Sequence, residues 1–226
     1  MIRHLRAFYN PWFILPFLLW VLAGAFLLAT YDKRALFGTV NMHHNPTLDV
    51  IMHALTEMGN GIGISIVLLS LLIFRSCRDW WYLLTAIVCN VIPALLIQVL
   101  KGIFNAPRPF EYFKADSSWI HFEPGWGEKL FHHSFPSGHS AGVFSLCCFL
   151  SLILPKRFEW LGIVLFLFAL TVGYTRMYLA AHFYADVFVG SIIGTTTTLF
   201  CFAMMRRISK RSFIITNQTE KRSTLI

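Results

Sequence analysis

Three short stretches of this 226-residue chain carry the residue types that chemistry uses, at spacings that let them act together. The first is Lys101-Gly-Ile-Phe-Asn-Ala-Pro-Arg108-Pro109, the second Pro136-Ser137-Gly138-His139, and the third runs from Thr175-Arg176 through His182 to Asp186. Lys101, Arg108 and Arg176 bring three positive charges, enough to hold a phosphate dianion. Arginine forks match phosphate oxygens bidentately, and lysine acts as a point charge. Ser137-Gly138 precedes an apolar run, so as a helix start it offers free backbone N–H groups and the positive dipole end to an anion. His182 and Asp186 are four apart and share a face if helical. A carboxylate there keeps one ring nitrogen protonated and leaves the other nucleophilic. His139 is then the histidine free to protonate a leaving oxygen.

The elements that must position these groups are membrane spans. The chain is 56% hydrophobic, 16% aromatic and only 13% charged, with a mean hydropathy of +0.61. Soluble domains carry about 25% charged residues, so these figures exclude a water-soluble globule and a disordered chain. Apolar runs recur over 12–30, 62–74, 81–100, 138–154, 160–175 and 184–205. A span needs about 20 such residues, and the second run is short. The expectation is an all-α polytopic transmembrane bundle of about six spans in a single membrane-embedded domain, 1–226, with the motifs at 101–186. The first run exceeds the roughly 7–15-residue apolar core of a cleaved signal peptide, so a retained first helix is expected. Residues 47–58 place Leu48, Ile51, Met52, Leu55 and Met58 at helical spacing with Asp49, His53 and Glu57 between them, the pattern of a helix lying in the interface.

Counting crossings, the end of the third run, the start of the fourth, the end of the fifth and the start of the sixth emerge on one face, whether or not the second run spans. The three chemical stretches therefore converge. The formal net charge of +8 is skewed: Arg206, Arg207, Lys210, Arg211, Lys221 and Arg222 follow the last apolar run. With Arg3, Arg6 and the short turns at 75–79 and 156–159 they place both termini in the cytoplasm and the converging stretches outside. That distribution reads as a basic cytoplasmic tail, 206–226, and argues against nucleic-acid binding. The five cysteines have no metal-ligand spacing and read as small apolar packers.

Lys-x6-Arg-Pro, Pro-Ser-Gly-His and Arg-x5-His-x3-Asp together resemble the three-part signature of the phosphatidic acid phosphatase type 2 (PAP2) family, which shares its helical core with vanadium haloperoxidases. The third motif begins Thr175-Arg176 where the family usually has Ser-Arg, which keeps a hydroxyl. The resemblance implies His182 as nucleophile forming a phosphohistidine, Asp186 as its orienter and His139 as general acid. It assigns Lys101, Arg108, Ser137, Gly138 and Arg176 to the phosphate, and implies no metal and no cofactor.

The segment 110–135 bears on the substrate. Eight of its 26 residues are aromatic: Phe110, Tyr112, Phe113, Trp119, Phe122, Trp126, Phe131 and Phe135. Such rings favour the headgroup layer, although they can also pack down on the bundle. A site at that level suits a lipid phosphate or diphosphate: undecaprenyl diphosphate, a lipid A phosphate, phosphatidylglycerophosphate or phosphatidate. The compact chain is similar to bacterial members, so the expected location is the cytoplasmic (inner) membrane with the site facing the periplasm. Alternatives are a lipid phosphotransferase using the same intermediate and a non-catalytic lipid-phosphate transporter. His132-His133 and His43-His44 are read as decoys, since no carboxylate or cysteine completes a metal set. The sequon Asn217-Gln-Thr219 falls on the expected cytoplasmic side.

Overall fold

A computed structural model describes residues 9–123 and 129–223; side chains of 76 and 210–223 are outside it, as are Arg3, Arg6 and Trp126. The helices are α1 (Pro11–Thr30), α2 (Lys33–Asn41), α3 (Pro46–Glu57), α4 (Gly61–Ser70), α5 (Trp80–Phe104), α6 (Pro109–Tyr112), α7 (Gly138–Ile153), α8 (Leu161–Tyr178) and α9 (Tyr184–Ser223). There is no strand among the described residues. Short polar side chains start most of them. Asn10, Asp32, Asn45, Asn60, Asp79 and Ser137 each accept a first-turn amide, and Pro11 and Pro46 occupy the first helical position.

All six apolar runs are helical, yet only α1, α5 with its extension to Tyr112, α8 and α9 to Ser209 are each long and apolar enough to cross a membrane. The short second run passes only jointly with α3, across a bend of 63°, giving four spans or five rather than six. The expected interface helix 47–58 is thus half of a bent pair. It lies against α8, and Asp49 and Thr56 on its polar positions are buried rather than solvated. The fourth run, α7, has 16 residues, about 24 Å, short of a hydrocarbon core of about 30 Å.

α7 is the axis of the bundle. Twelve of its sixteen residues are buried, and α5, α8 and α9 pack around it. Its Phe144, Cys147, Cys148 and Phe149 form the main core with Phe13, Ala169, Val172 and Phe202. All five cysteines are buried, Cys77 included. α9 reaches α7 because it carries glycine where the two backbones meet: a Cβ on Gly194 would fall on the backbone of Ala141. By contrast, α1 and α5 expose Leu18, Leu22, Phe26, Ile87, Leu95 and Val99, the apolar coat of a lipid-facing helix.

The aromatic segment packs down more than it spreads. Phe110 is buried, and Phe113 and Trp119 pack with Phe37 and Phe183. Phe122 meets Phe110 edge-on at 5.4 Å. Tyr112 and Phe131 remain half exposed. Burying rings against a preformed aromatic patch on α2 and the 179–183 turn removes more apolar area from water than an interfacial position does.

Candidate active site

The end of α5, the start of α7, the end of α8 and the start of α9 meet at one end of the bundle, bringing all three chemical stretches together. Lys101 occupies the last turn of α5, which stops at Asn105 in a left-handed conformation (φ 37°). Its Nζ lies 3.9 Å from the position a Cβ on Gly138 would take, so the ammonium sits over the start of α7. There the Ser137 hydroxyl is spent on capping, accepting from the Ser140 amide, while the Ser137 N–H donates to the Asp186 carbonyl at 3.0 Å. The amides of Gly138 and His139, in the first turn, have no intrahelical acceptor and remain available to an anion.

His182 is 1% exposed in a tight turn between α8 and α9. Its amide and that of Ala181 both donate to the Arg176 carbonyl, and Ala180 takes a left-handed φ of 52°. Its Nδ1 lies 3.4 Å from Asp186 Oδ2. The same oxygen accepts from the Phe183 amide at 3.0 Å and from the Ser134 hydroxyl at 2.5 Å. Burial pushes the His182 imidazole well below its ordinary pKa, to about 3, against the opposing pull of Asp186. The ring is therefore neutral at physiological pH, with Nδ1–H directed at the carboxylate and Nε2 carrying the free lone pair. Burial, and then the charges of Arg176, His182, Lys101 and Arg108, push the His139 imidazole down to about 3 as well, so it is neutral until an anion offsets those charges.

The two arginines are used differently. Arg176, 8% exposed, donates from Nη1 to Thr56 Oγ1 at 2.6 Å, and its Nε has no partner. Arg108 spends three of its five N–H donors on the protein: Nε to the His132 carbonyl (2.8 Å), Nη1 to the Ala181 carbonyl (2.9 Å) and Nη2 to the His133 carbonyl (3.5 Å). It ties the 131–134 stretch of loop to the turn that carries His182 as well as adding charge. The histidine pair 132-133 thus serves through its carbonyls. His133 Nδ1 lies 3.2 Å from the Lys101 carbonyl, and among the described residues no three His, Cys, Asp or Glu are grouped to hold a metal.

Residues that sequence reading left aside also stand here. Ser134 grips Asp186 from 52 positions away, and only its place three residues before Ser137 hints at that. Asp49 accepts from the Tyr178 hydroxyl (2.7 Å) and pairs with His121 Nε2 (2.8 Å). Asn41 exchanges bonds with the His121 backbone and also donates to the Tyr178 carbonyl. His44 stacks on His121 with ring centroids 3.7 Å apart. This network clamps loop, α2, α3 and α8 beside the site.

Two cavities open from it. One, about 600 Å³, runs between α4, α5 and α7 from Lys101, Gly138 and His139 down to Leu68 and Ala86. Ala86 and Lys101 are fifteen residues apart on α5, about 22 Å along the axis. The other, about 270 Å³, is lined by α3, the loop at 121–123, His139 and Arg176.

The chain is 30% identical to an undecaprenyl-diphosphatase of Sulfolobus acidocaldarius over 160 residues, 71% of this chain and 72% of that protein. It is 47% identical to a lipid A 4'-phosphatase of Bacteroides thetaiotaomicron over 60 residues, 26% of each. The crystal structure of LpxE from Aquifex aeolicus superposes with a TM-score of 0.62 at 28% identity, covering 78% of this chain and 98% of that one. The sequence matches the PAP2 superfamily over residues 78–210, a segment that holds all three motifs. The chain, a bundle of helices that gathers those motifs at one end, belongs to the PAP2 superfamily.

Proposed function

We propose that this PAP2 phosphatase acts as one membrane-embedded unit that removes the terminal phosphate of a lipid phosphate or diphosphate at the non-cytoplasmic face. The observation that carries the reading is the groove joined to the basic site. Its apolar lining includes Ile64, Leu68, Ile87, Val91 and Leu95, so acyl or prenyl tails can stay in apolar surroundings while the phosphate reaches Lys101.

In the proposed reaction Lys101, Arg176, the remaining donors of Arg108 and the amides at Gly138 and His139 hold the phosphate oxygens. Ser137 acts by fixing that helix start. The lone pair on His182 Nε2 forms a bond to phosphorus while the bond to the lipid oxygen breaks. His139, protonated once the bound phosphate dianion offsets the charges of Arg176, Lys101 and Arg108, gives that oxygen its proton, and Asp186 stabilises the positive charge on His182 through Nδ1–H. Water then attacks phosphorus, the N–P bond returns its electron pair to His182, and His139 takes the proton from water.

The relatives named above act on different lipids, an undecaprenyl diphosphate and a lipid A phosphate, and both remain within the proposed class alongside phosphatidylglycerophosphate and phosphatidate. The test is rapid acid-free quenching during turnover of a phosphorus-labelled lipid by purified protein in detergent. Acid-labile label should appear on wild-type protein and be absent from His182→Ala. Turnover with no protein-bound label in either, and activity retained in His182→Ala, would overturn the phosphohistidine route.

A further inference from the structure

Helix α3 buries two side chains, Asp49 and Thr56, and both are polar. They are seven residues apart, two helical turns, so they lie in one row along the helix. Polar groups taken out of water must be offset by hydrogen bonds, and here both partners lie at the end of α8. Asp49 accepts from the Tyr178 hydroxyl at 2.7 Å, and Thr56 Oγ1 accepts from Arg176 Nη1 at 2.6 Å. Both residues fall outside the segment 78–210 that matches the PAP2 superfamily, and the reaction described above uses neither.

The two bonds hold different things. Tyr178 is a fully buried core ring, whereas Arg176 is a cation assigned to the phosphate. Among the described residues Thr56 is the single hydrogen-bond partner of the Arg176 guanidinium, while Arg108 has three backbone carbonyls. The direction of Arg176 therefore depends on one acceptor, and the chemistry of that acceptor matters. Glu57, the next residue on α3, lies within electrostatic reach of Arg176. A carboxylate binds a guanidinium more strongly than a hydroxyl does, and it would cancel the charge that the phosphate needs. Glu57 instead accepts from Asn60 Nδ2 at 2.5 Å. The neutral hydroxyl of Thr56 holds Arg176 with its charge intact.

Resting on the phosphatase reading above, we propose that Thr56 is a positioning residue, which aims the Arg176 guanidinium at the phosphate through a neutral acceptor supplied by α3. It acts on the phosphate only through Arg176. Asp49, in the same row, supports α8 without aiming a charge.

The test is calorimetric titration of orthovanadate, a phosphate analogue, into the purified full chain in one detergent, with turnover of nitrophenyl phosphate measured alongside. Thr56→Val keeps the shape and removes the acceptor. Its Kd for vanadate should rise about ten-fold or more, the effect of one hydrogen bond to a charged group, and KM for nitrophenyl phosphate should rise with it. Thr56→Ser restores the acceptor and should bring Kd close to the wild-type value. If Thr56→Val melts early, Thr56→Cys takes its place, since the sulfur is a weak acceptor on a side chain near serine in size. Asp49→Asn should lower the thermal midpoint and leave Kd for vanadate near wild type. An unchanged Kd in Thr56→Val or Thr56→Cys, a Thr56→Ser variant as weak as Thr56→Val, or an equal loss in Asp49→Asn overturns the positioning role. Wild-type protein that binds vanadate yet releases no phosphate from nitrophenyl phosphate or a lipid phosphate would instead overturn the phosphatase reading, and the comparison of Kd values would still decide the role of Thr56.

Discussion

At Asp186 a single carboxylate oxygen gathers three donors, from His182, Phe183 and Ser134. The pairing with His182 is the loosest of the three, so the carboxylate's place depends on the other two. Ser134 is buried and its backbone is fixed by donation to the Ala106 carbonyl, so it cannot follow a shifted Asp186. Ser134→Ala removes a bond to a charged acceptor, worth about 1.5–3 kcal/mol. We expect kcat to fall about ten-fold or more with KM little changed, and Ser134→Thr to restore much of the loss. Steady-state kinetics on one lipid substrate would check this. A fall carried by KM instead would mean that Ser134 acts on binding rather than on the orientation of His182. Residue chemistry was half legible in the sequence. His182 and Asp186 are four apart, so their pairing follows from helical geometry. Ser134 with Asp186, and Thr56 with Arg176, are brought together by packing across 52 and 120 positions, and no local spacing encodes them. Arg108 was legible as a charge, but the three carbonyls that its N–H groups meet became visible only with the fold.

Helix packing explains why the element count departs from the hydropathy pattern. α7 is too short to span by length, yet it needs no lipid-matched surface, because α5, α8 and α9 enclose it. Its first turn lies at the end of the bundle where Lys101, Arg176 and His182 meet. Similarly, the 63° bend between α3 and α4 brings Gly59 against His139, where a Cβ would sit 3.3 Å from the His139 carbonyl oxygen. The sequence marks that break with Asn60-Gly61, but its direction comes from contact with α7 and α8. The α7–α9 contact is the one on which the site's geometry rests most directly, since Ser137 donates to Asp186 across it. Gly194→Val would drive a branched side chain into the Ala141 backbone, an overpacking cost of typically about 1–3 kcal/mol. Thermal unfolding in detergent should show a clearly lowered midpoint and activity should fall with it. Gly102→Ala, where nothing lies within 4 Å, should leave the midpoint unchanged or raised. Equal midpoints for the two variants would mean that α7 and α9 do not meet as closely as the backbone contact requires.

The whole molecule sets two solvents against one reaction centre. The groove between α4 and α5 has a largely apolar lining, and the smaller cavity opens beside polar residues of α3 and the 121–123 loop. His139 stands where they join. Which aqueous compartment the polar side faces depends on the orientation of the bundle, and here charge is the argument. The turns at 75–78 and 156–157 lie at the end of the bundle opposite the site, and they carry Arg75, Arg78, Lys156 and Arg157. Arg206 and Arg207 follow α9 down to that same end. Short loops rich in lysine and arginine stay in the cytoplasm. The site end also holds basic residues, but Lys101, Arg108 and Arg176 there are assigned to the proposed phosphate site, and Lys33 and Arg34 lie over the rings of Phe183 and Trp119. We therefore expect a reporter fused after Ile226 to be cytoplasmic and a tag inserted near Ser117 to react with a membrane-impermeant label on intact cells. Ser117 lies in the loop beside Trp119, on the side of the bundle that holds His182 and Phe183. A tag at Ser117 that reacts only after the membrane is permeabilised, with a C-terminal reporter that is external, would invert the protein. The enzyme would then draw its substrate from the inner leaflet, and the lipids that carry their phosphate on the outer face would no longer be candidates.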